Sequence, residues 1–331
     1  MRFPKVLILI LNWNGKSDTL ECLASLSAAS PKPLFSTLIV DNGSTDDSVA
    51  SIRAAFPDVP IIETNKNLGF AGGNNVGIRW ALGKSFDWIL LLNNDTIVDP
   101  HLIDGFMEAA KKNPSAKILG AKIYRYHDRE RIDHLGGLWD PLTAEFTSIA
   151  SDKIDDGSFE EMQKVGYVCG CALFMHRSVP ETIGLLEEKF FLLWEESDFC
   201  ARAARAGFEI WTAPKAKLWH KVSASFTGGK AHTHYFWWRN RLLWIERNCD
   251  QLEKRQIYRN TIIPEICKHA KLAVLKTLQI LVLHLLGQRP DEARLQKARR
   301  YRAGCRGILH YFLGRFGNCP TAYIKRRKNS S

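Results

Sequence analysis

The feature that most constrains this chain is the alternation of short apolar runs with helical patterns over its first 125 residues. Val6 to Leu11, Thr37 to Val40, Ile61 to Glu63, Trp88 to Leu92 and Ile118 to Ile123 read as strands. Helices fall between them, near Ser17 to Ala29, Asp46 to Phe56, Ala71 to Leu82 and Pro100 to Lys112. Such alternation predicts an α/β fold whose mainly parallel, doubly wound sheet carries helices on both faces. Ser44 or Thr45 is placed to cap the helix that opens with Asp46 and Asp47. Residues 124 to 163 break the pattern as a loop or hairpin insertion would, and "VGYVCGCALFM" from Val165 resumes the core. A helix over Glu196 to Ala206 stops at Gly207, and a strand follows over Phe208 to Trp211. Beyond about residue 233 the chain is helical and increasingly basic. The expected organisation is an α/β domain over 1–232 and a basic C-terminal helical region over 233–331.

The composition, 45% hydrophobic and 24% charged, is that of a globular protein with a large core. A net charge of +11 points to an anionic partner: nucleic acid, an acidic membrane surface or a phosphorylated ligand. The eight cysteines are scattered and lack zinc spacing, which suits reduced thiols in a cytosolic setting. "MRFPKVLILILNWNG" has no small-residue cleavage site and reads as a first strand, not a signal peptide. The apolar run at residues 272–286 is shorter than the ~20 residues a bilayer crossing needs, and it contains Lys276, Gln279 and His284. Lys268, Lys271, Lys276 and Gln279 fall near one side at helical spacing with leucines on the other. This helix suits either a membrane interface or packing on the body of the protein.

In open α/β sheets ligands bind beyond the carboxyl ends of the strands. Three strands here end in polar clusters, "LNWNG" at 11–15, "VDNGSTDDS" at 40–48 and "LNNDT" at 92–96. A fourth, "NKNLGFAGGNN" at 65–75, offers Asn67, Gly69 and Gly72 before a helix N-terminus suited to an anion. Turn chemistry explains any one of these, but four on successive βα turns argue for a site. No GxGxxG follows the first strand and no GxxxxGK[ST] occurs, so the common dinucleotide and P-loop readings lack their fingerprints. A nucleotide diphosphate in the crevice would call for a hard cation with oxygen ligands, which casts Asp95 as a metal ligand. Asn93 and Asn94 would then reach ribose hydroxyls or metal-bound water. Glu195, Glu196 and Asp198 crowd a helix start behind an apolar wall, which raises the proton affinity of at least one of them. Asp198 has Arg202 as an i,i+4 partner, Glu195 can bond the backbone or a donor sugar, and Glu196 is left as the base. His220, near another strand end, is a further candidate metal contact.

Taken together, Asn-Trp-Asn-Gly, "VDNGSTDDS", "NLGFAGGNN", "LLNNDT" and "FFLLWEESDFCARAARAGF" resemble the family 2 glycosyltransferases, in particular the rhamnosyltransferase-like branch of bacterial polysaccharide assembly. The resemblance covers residues 5 to 248 and implies a GT-A fold, an inverting mechanism, a nucleotide-sugar donor and a divalent cation, Mn2+ or Mg2+. It implies that Asn12, Trp13, Asp41 and Asn42 meet the base and ribose, that Asn94 faces the ribose and that Asp95 and His220 hold the metal. The family's Asp-x-Asp stands here as Asn93-Asn94-Asp95, and its Glu-Asp-x-Asp as Glu195-Glu196-Ser197-Asp198, so Glu196 occupies the position of the base. Arg239-Asn240 matches a C-terminal pair of this branch, with Arg239 expected at the nucleotide sugar.

The expectation is therefore a metal-dependent inverting hexosyltransferase. It would use a UDP- or dTDP-sugar, dTDP-rhamnose leading, and a glycan or polyprenyl-diphosphate-linked acceptor. It would lie in the cytoplasm, peripheral to the inner face of the plasma membrane, with no nucleic-acid partner. The rival is a non-catalytic nucleotide- or glycan-binding relative tethered to membrane or nucleic acid by its basic end.

Overall fold

The computed structural model describes residues 4–28, 35–221 and 230–323. The chain forms two compact units, one of residues 1–139, 146–188 and 195–222, the other of 140–145, 189–194 and 223–331. Two short segments from the first 232 residues thus cluster with the C-terminal helices.

In the first unit β1 (Val6–Asn12), β2 (Phe35–Asp41), β3 (Ile61–Glu63) and β4 (Trp88–Asn93) pair in parallel in the order β3-β2-β1-β4. Helices α1 (Lys16–Ser27), α2 (Ser48–Ala55) and α3 (Gly69–Leu82) make the crossovers, as the alternation predicts. Val6, Ile8 and Ile10 of β1 join one core cluster with α1, α2 and α4 (Leu102–Lys112). Leu7 and Leu9 join a second cluster on the opposite face with α3. Burial on both faces is why these strands are unbroken apolar runs.

Beyond β4 the sheet is mixed. β6 (Ala116–Arg125) is separated from β4 by β10 (Ala172–His176), antiparallel to both. β11 (Glu209–His220) pairs in parallel with β6, and β5 (Thr96–Val98) closes the edge against β11. The insertion expected over 124–163 contains β7 (Asp128–His134), which pairs with β6, and the hairpin of β8 (Gly137–Asp140) and β9 (Glu145–Ser148). Behind the second face lie α5 (Ser178–Ile183) and α6 (Glu195–Arg205), the latter ended by Gly207 at φ +87°.

Two local expectations are corrected. The strand expected to end at Trp211 continues to His220, because a register shift between Ala213 and Lys217 carries the ladder past Pro214. Neither Ser44 nor Thr45 caps α2, which starts at Ser48. Ser44 instead donates both its N–H and its hydroxyl to Asp41, at 2.9 and 2.6 Å. The α3 glycines serve packing: a Cβ on Gly73 would lie 2.4 Å from Leu11, one on Gly77 2.2 Å from Leu9, and one on Gly72 2.9 Å from Leu68.

The second unit comprises α7 (Ala231–Asn248), α8 (Gln251–Ile257), a π-turn at Tyr258–Ile262, α9 (Ile263–Leu285) and α10 (Glu292–Phe312). Helices α7 and α10 approach closely, since a Cβ on Gly307 would stand 2.3 Å from the Tyr235 carbonyl oxygen. In α9 the inward line is short: Ala273 is buried, while Leu272, Lys276, Thr277 and Ile280 are half-buried. Val274, Leu275, Leu278, Leu281, Val282, Leu285 and Leu286 are exposed, so the leucine side of this helix faces outward within its unit. Among the described residues no helix is long and apolar enough to cross a membrane.

Candidate active site

The parallel register sets Asn12 beside Asp41 and Leu11 beside Asn93, bringing three strand ends together. A chain of hydrogen bonds joins them. Asn12 Nδ2 donates to Asp41 Oδ2 at 2.7 Å, Thr19 Oγ1 donates to Asn12 Oδ1 at 2.8 Å, and Asn94 Nδ2 donates to Thr19 Oγ1 at 2.9 Å. Asp41, Asn12 and Thr19 are buried. Thr19 was not expected from sequence, although a threonine on the same helical stripe as Cys22, Leu23 and Leu26 is the available signal. Gly15 leaves room for this arrangement, because a Cβ would sit 2.3 Å from Asn94 Nδ2 and displace that side chain. Trp13 is 45% exposed at the same strand end.

Asn42 and Asn67 lie at the site as loop braces. Asn42 Oδ1 accepts from Leu68 N at 2.9 Å, and its Nδ2 donates to Gly69 O at 3.0 Å and Asn67 Oδ1 at 3.3 Å. Asn67 Oδ1 also accepts from Gly69 N at 2.8 Å, and Gly69 sits at φ +78°. The loop before α3 is thereby fixed by side-chain bonds to its own backbone.

Asp95 and His220 do meet. Asp95 Oδ1 is 3.2 Å from His220 Nε2, across the β5–β11 pair that aligns Thr96 with His220. Asp133, from β7 in the polar insertion, stands with Oδ2 3.6 Å from His220 Nδ1. Nothing in the local sequence of β7 marks Asp133. Burial opposes a charge on His220, but Cys171, Asp133 and Asp95 outweigh it and hold its pKa well above the usual histidine value. The imidazolium is thus a cation gathered between two carboxylates. Among the described residues no three His, Cys, Asp or Glu side chains form a complete metal cage. A divalent cation bound here would displace the proton that the carboxylates draw onto His220, and Asp95 with the neutral imidazole would fit an ion that takes its remaining ligands from a diphosphate and water.

The three acidic residues of α6 have separate environments. Asp198 is buried and accepts from Arg202 Nε at 2.8 Å, the expected i,i+4 pair, while Arg202 also donates to the carbonyls of Ile183 and Leu185 at 2.7 Å each. Glu195 is buried. Glu196 is half-buried, and its Oε2 has no hydrogen-bond partner. Burial raises its pKa above the usual glutamate value, against the N–H groups of Glu196, Gly170 and Ser197, which favour the charged form. Desolvation is the largest cause of the shift.

With the geometry in place, the comparisons are decisive for the family. The profile of glycosyl transferase family 2 matches residues 7–184, more than half of the chain. The protein belongs to this family. The N-acetylglucosaminyl-diphospho-decaprenol L-rhamnosyltransferase of Mycobacterium tuberculosis is 27% identical over 278 residues, covering 72% of this chain and 88% of that protein. The dTDP-rhamnosyl transferase RfbF of Shigella flexneri is 22% identical over 219 residues, covering 64% and 71%. Among solved structures, GalNAc-T7 with UDP, GalNAc and Mn2+ superposes with a TM-score of 0.61 at 13% identity, over 94% of this chain and 56% of that longer one. The mannosyltransferase PcManGT of Pyrobaculum calidifontis, with GDP-Man and Mn2+, gives 0.57 at 12% identity, over 95% and 88%. The fold of this rhamnosyltransferase-like family member is therefore GT-A, with a helical C-terminal region.

One family expectation is corrected. Arg239 does not present its guanidinium to a nucleotide: it is fully buried within the second unit. It donates to Asn240 Oδ1 at 2.9 Å, Tyr235 Oη at 3.4 Å and the carbonyls of Gly317, Lys189 and Phe190 at 2.6, 3.2 and 2.8 Å. Asn240 Nδ2 donates to the carbonyls of Phe190, Leu192 and Leu193, each at 2.8 Å. The pair clamps a segment in which Phe191, Leu193 and Trp194 take φ values of +64°, +71° and +75°. Arg239→Lys is expected to cost about 2–4 kcal/mol of unfolding free energy, since one ammonium cannot replace the five-donor fork and leaves buried carbonyls unmet. Urea denaturation measures this, and calorimetric titration should find nucleotide affinity unchanged. Lost nucleotide affinity at full stability would return Arg239 to the donor site.

Proposed function

We propose that this family member is a metal-dependent, inverting transferase. It would move a sugar from a UDP- or dTDP-activated donor, dTDP-rhamnose first, to a glycan or polyprenyl-diphosphate-linked acceptor in cell-surface polysaccharide assembly. The observation that carries the reading is Glu196: a desolvated carboxylate with one partnerless oxygen, in a unit that also joins Asp95 to His220 at the strand ends. The named activities of the mycobacterial and Shigella relatives support the choice of sugar and carrier.

Asp41 and Asn12, held rigid by Thr19 and Ser44, meet the base and ribose, with Trp13 alongside and Asn94 at the ribose. Asn42, Asn67, Gly69 and Gly72 act on the donor indirectly, through the shape of the loop they brace. Asp95 and His220 hold a divalent cation, Mn2+ or Mg2+, which when bound neutralises the diphosphate and stabilises it as leaving group. Glu196 removes the proton of the acceptor hydroxyl as its oxygen attacks the anomeric carbon opposite the diphosphate, so one displacement inverts the configuration. Asp198 and Glu195 position α6, Asp198 through its pair with Arg202.

The exposed apolar side of α9 and the basic residues Arg294, Arg299 and Arg302 of α10 suit peripheral contact with an anionic membrane, at the inner face of the plasma membrane. Each Lys or Arg near such a surface contributes roughly 1 kcal/mol.

Asp95→Asn should remove the manganese-dependent part of UDP or dTDP affinity while the fold persists. Undiminished turnover in that variant at saturating manganese would exclude Asp95 from the metal site. Glu196→Gln should lower turnover by about 10² to 10⁴ with donor affinity little changed. A base works only when deprotonated and the pKa of Glu196 is raised. The acid limb of the wild-type kcat/KM profile should therefore lie above the 4.5 of an ordinary glutamate. Near wild-type turnover in Glu196→Gln, with loss in Glu195→Gln, would move the base to Glu195. The protein should sediment with anionic vesicles at low salt and be released at high salt, and failure to sediment at low salt would dismiss the membrane contact.

A further inference from the structure

The second unit contains a cavity of about 520 Å³ between α7, α9 and α10, within the size range of small-ligand sites and lined by none of the residues invoked above for catalysis. Its walls are of two kinds. Aromatic rings make one: Trp237 stands edge-on to Trp238 at 5.2 Å, Trp238 packs on His269 at 5.0 Å, and His269 packs on Tyr301 at 4.9 Å. His269 Nε2 bonds the Tyr301 carbonyl oxygen at 3.0 Å, and Arg241 backs Trp237 at 4.6 Å, so this wall is held from behind. The other wall is cationic. Lys297 and Arg300, one turn apart on α10, both line the cavity, and no aspartate or glutamate does. Neither forms an ion pair with any described residue, and Arg300 Nε and Thr233 Oγ1 are buried donors without a hydrogen-bond partner.

Two uncompensated cations, two unused donors and an indole wall together select a ligand with concentrated negative charge attached to a body of mixed polarity. A phosphate or diphosphate ester meets both demands: Arg and Lys take the oxygens, and the amphipathic aromatic wall takes the flank of an attached sugar or isoprene unit. The apolar side of α9 supplies a direction. Val274 opens its exposed strip five residues beyond His269, about 7.5 Å along the helix and about 140° round it, and the strip continues to Leu285, so a chain leaving the cavity passes round α9 to reach it.

We propose that this cavity is an anchoring site for the diphosphate head of a polyprenyl-linked acceptor, with Lys297, Arg300 and Thr233 on the phosphates and the chain laid along Val274, Leu278, Leu281 and Leu285. The proposal rests on the lipid-linked acceptor inferred above and locates the carrier's binding residues in the C-terminal unit.

Farnesyl diphosphate is a soluble probe of this site. In EDTA, which silences metal-dependent binding at the donor site, it should bind the full chain saturably and change tryptophan fluorescence. Farnesol should not bind, and inorganic diphosphate should bind at least tenfold more weakly. Lys297→Gln/Arg300→Gln should weaken farnesyl diphosphate at least tenfold while leaving manganese-dependent dTDP or UDP affinity and the melting temperature unchanged. Lys297→Gln alone, at an exposed position, should show a smaller loss in the same direction. Farnesol binding as tightly as the diphosphate, or affinity undiminished in the double variant, overturns the site. Inorganic diphosphate binding equally well assigns the cavity to a free anion and overturns the lipid carrier. Normal metal-dependent nucleotide binding without any farnesyl diphosphate binding sinks this inference alone. Loss of nucleotide binding in the wild type would sink the transferase reading instead.

Discussion

Covering both faces of β1 and β4 leaves polar side chains one place to emerge, the carboxyl ends of the strands. Val6 to Ile10 and Ile89 to Leu92 are all buried, divided between opposite core clusters, so no polar residue is tolerated until Asn12 and Asn93. Because β2, β1 and β4 are parallel neighbours, their polar ends arrive side by side. Asn12 is itself buried and must be satisfied, and Asp41, Ser44 and Thr19 do so. The strand-end cluster is rigid for the same reason that it exists.

This much was legible in the sequence, because unbroken apolar runs and their polar ends are local signals. The hydrogen-bond partners were not, since they depend on which helix crosses which strand end. Thr19 reaches Asn12 and Asn94 only because α1 returns along β1, and Asp133 reaches His220 only because β7 pairs with β6 beside β11. The glycines of "NLGFAGGNN" were ambiguous in sequence for a related reason. A glycine that admits a phosphate and one that admits a leucine from the facing strand look alike until the helix is placed. Pro214 hid the second half of β11, where a register shift retains the ladder that a proline ordinarily interrupts.

Arginine shows the same limit in sharper form. Arg202 and Arg239 both lie beside acidic or family motifs, and both are spent on backbone carbonyls. Arg202 ties Asp198 into the start of α6, an ion pair that sets Asp198 apart from Glu196, whose Oε2 has no hydrogen-bond partner. Arg239 and Asn240 hold the carbonyls of a segment with three left-handed non-glycine residues, each such residue costing about 1–3 kcal/mol that only fixed surroundings sustain. That segment ends at Trp194, and the next residue in the chain is Glu195, so the Arg239-Asn240 pair and the acidic motif are linked through the backbone.

The net charge divides along the same line. Residues 233–331 hold 21 of the 46 Lys and Arg but only 6 of the 35 Asp and Glu, a net of +15, which leaves residues 1–232 at −4. The basic character of the chain therefore does not belong to the part that carries the strand-end site. Around Asp95 the protein supplies two carboxylates and one imidazolium, a deficit of positive charge where a diphosphate would lie. An anionic donor binds such a place only with a cation of its own, which is the physical case for a divalent metal there. The surplus at the C-terminal end has no comparable acidic partner in the chain. Such a surplus attracts an external anion over a range set by a Debye length of about 8 Å at physiological salt, which is the electrostatic ground for the membrane contact and the lipid-linked acceptor proposed above.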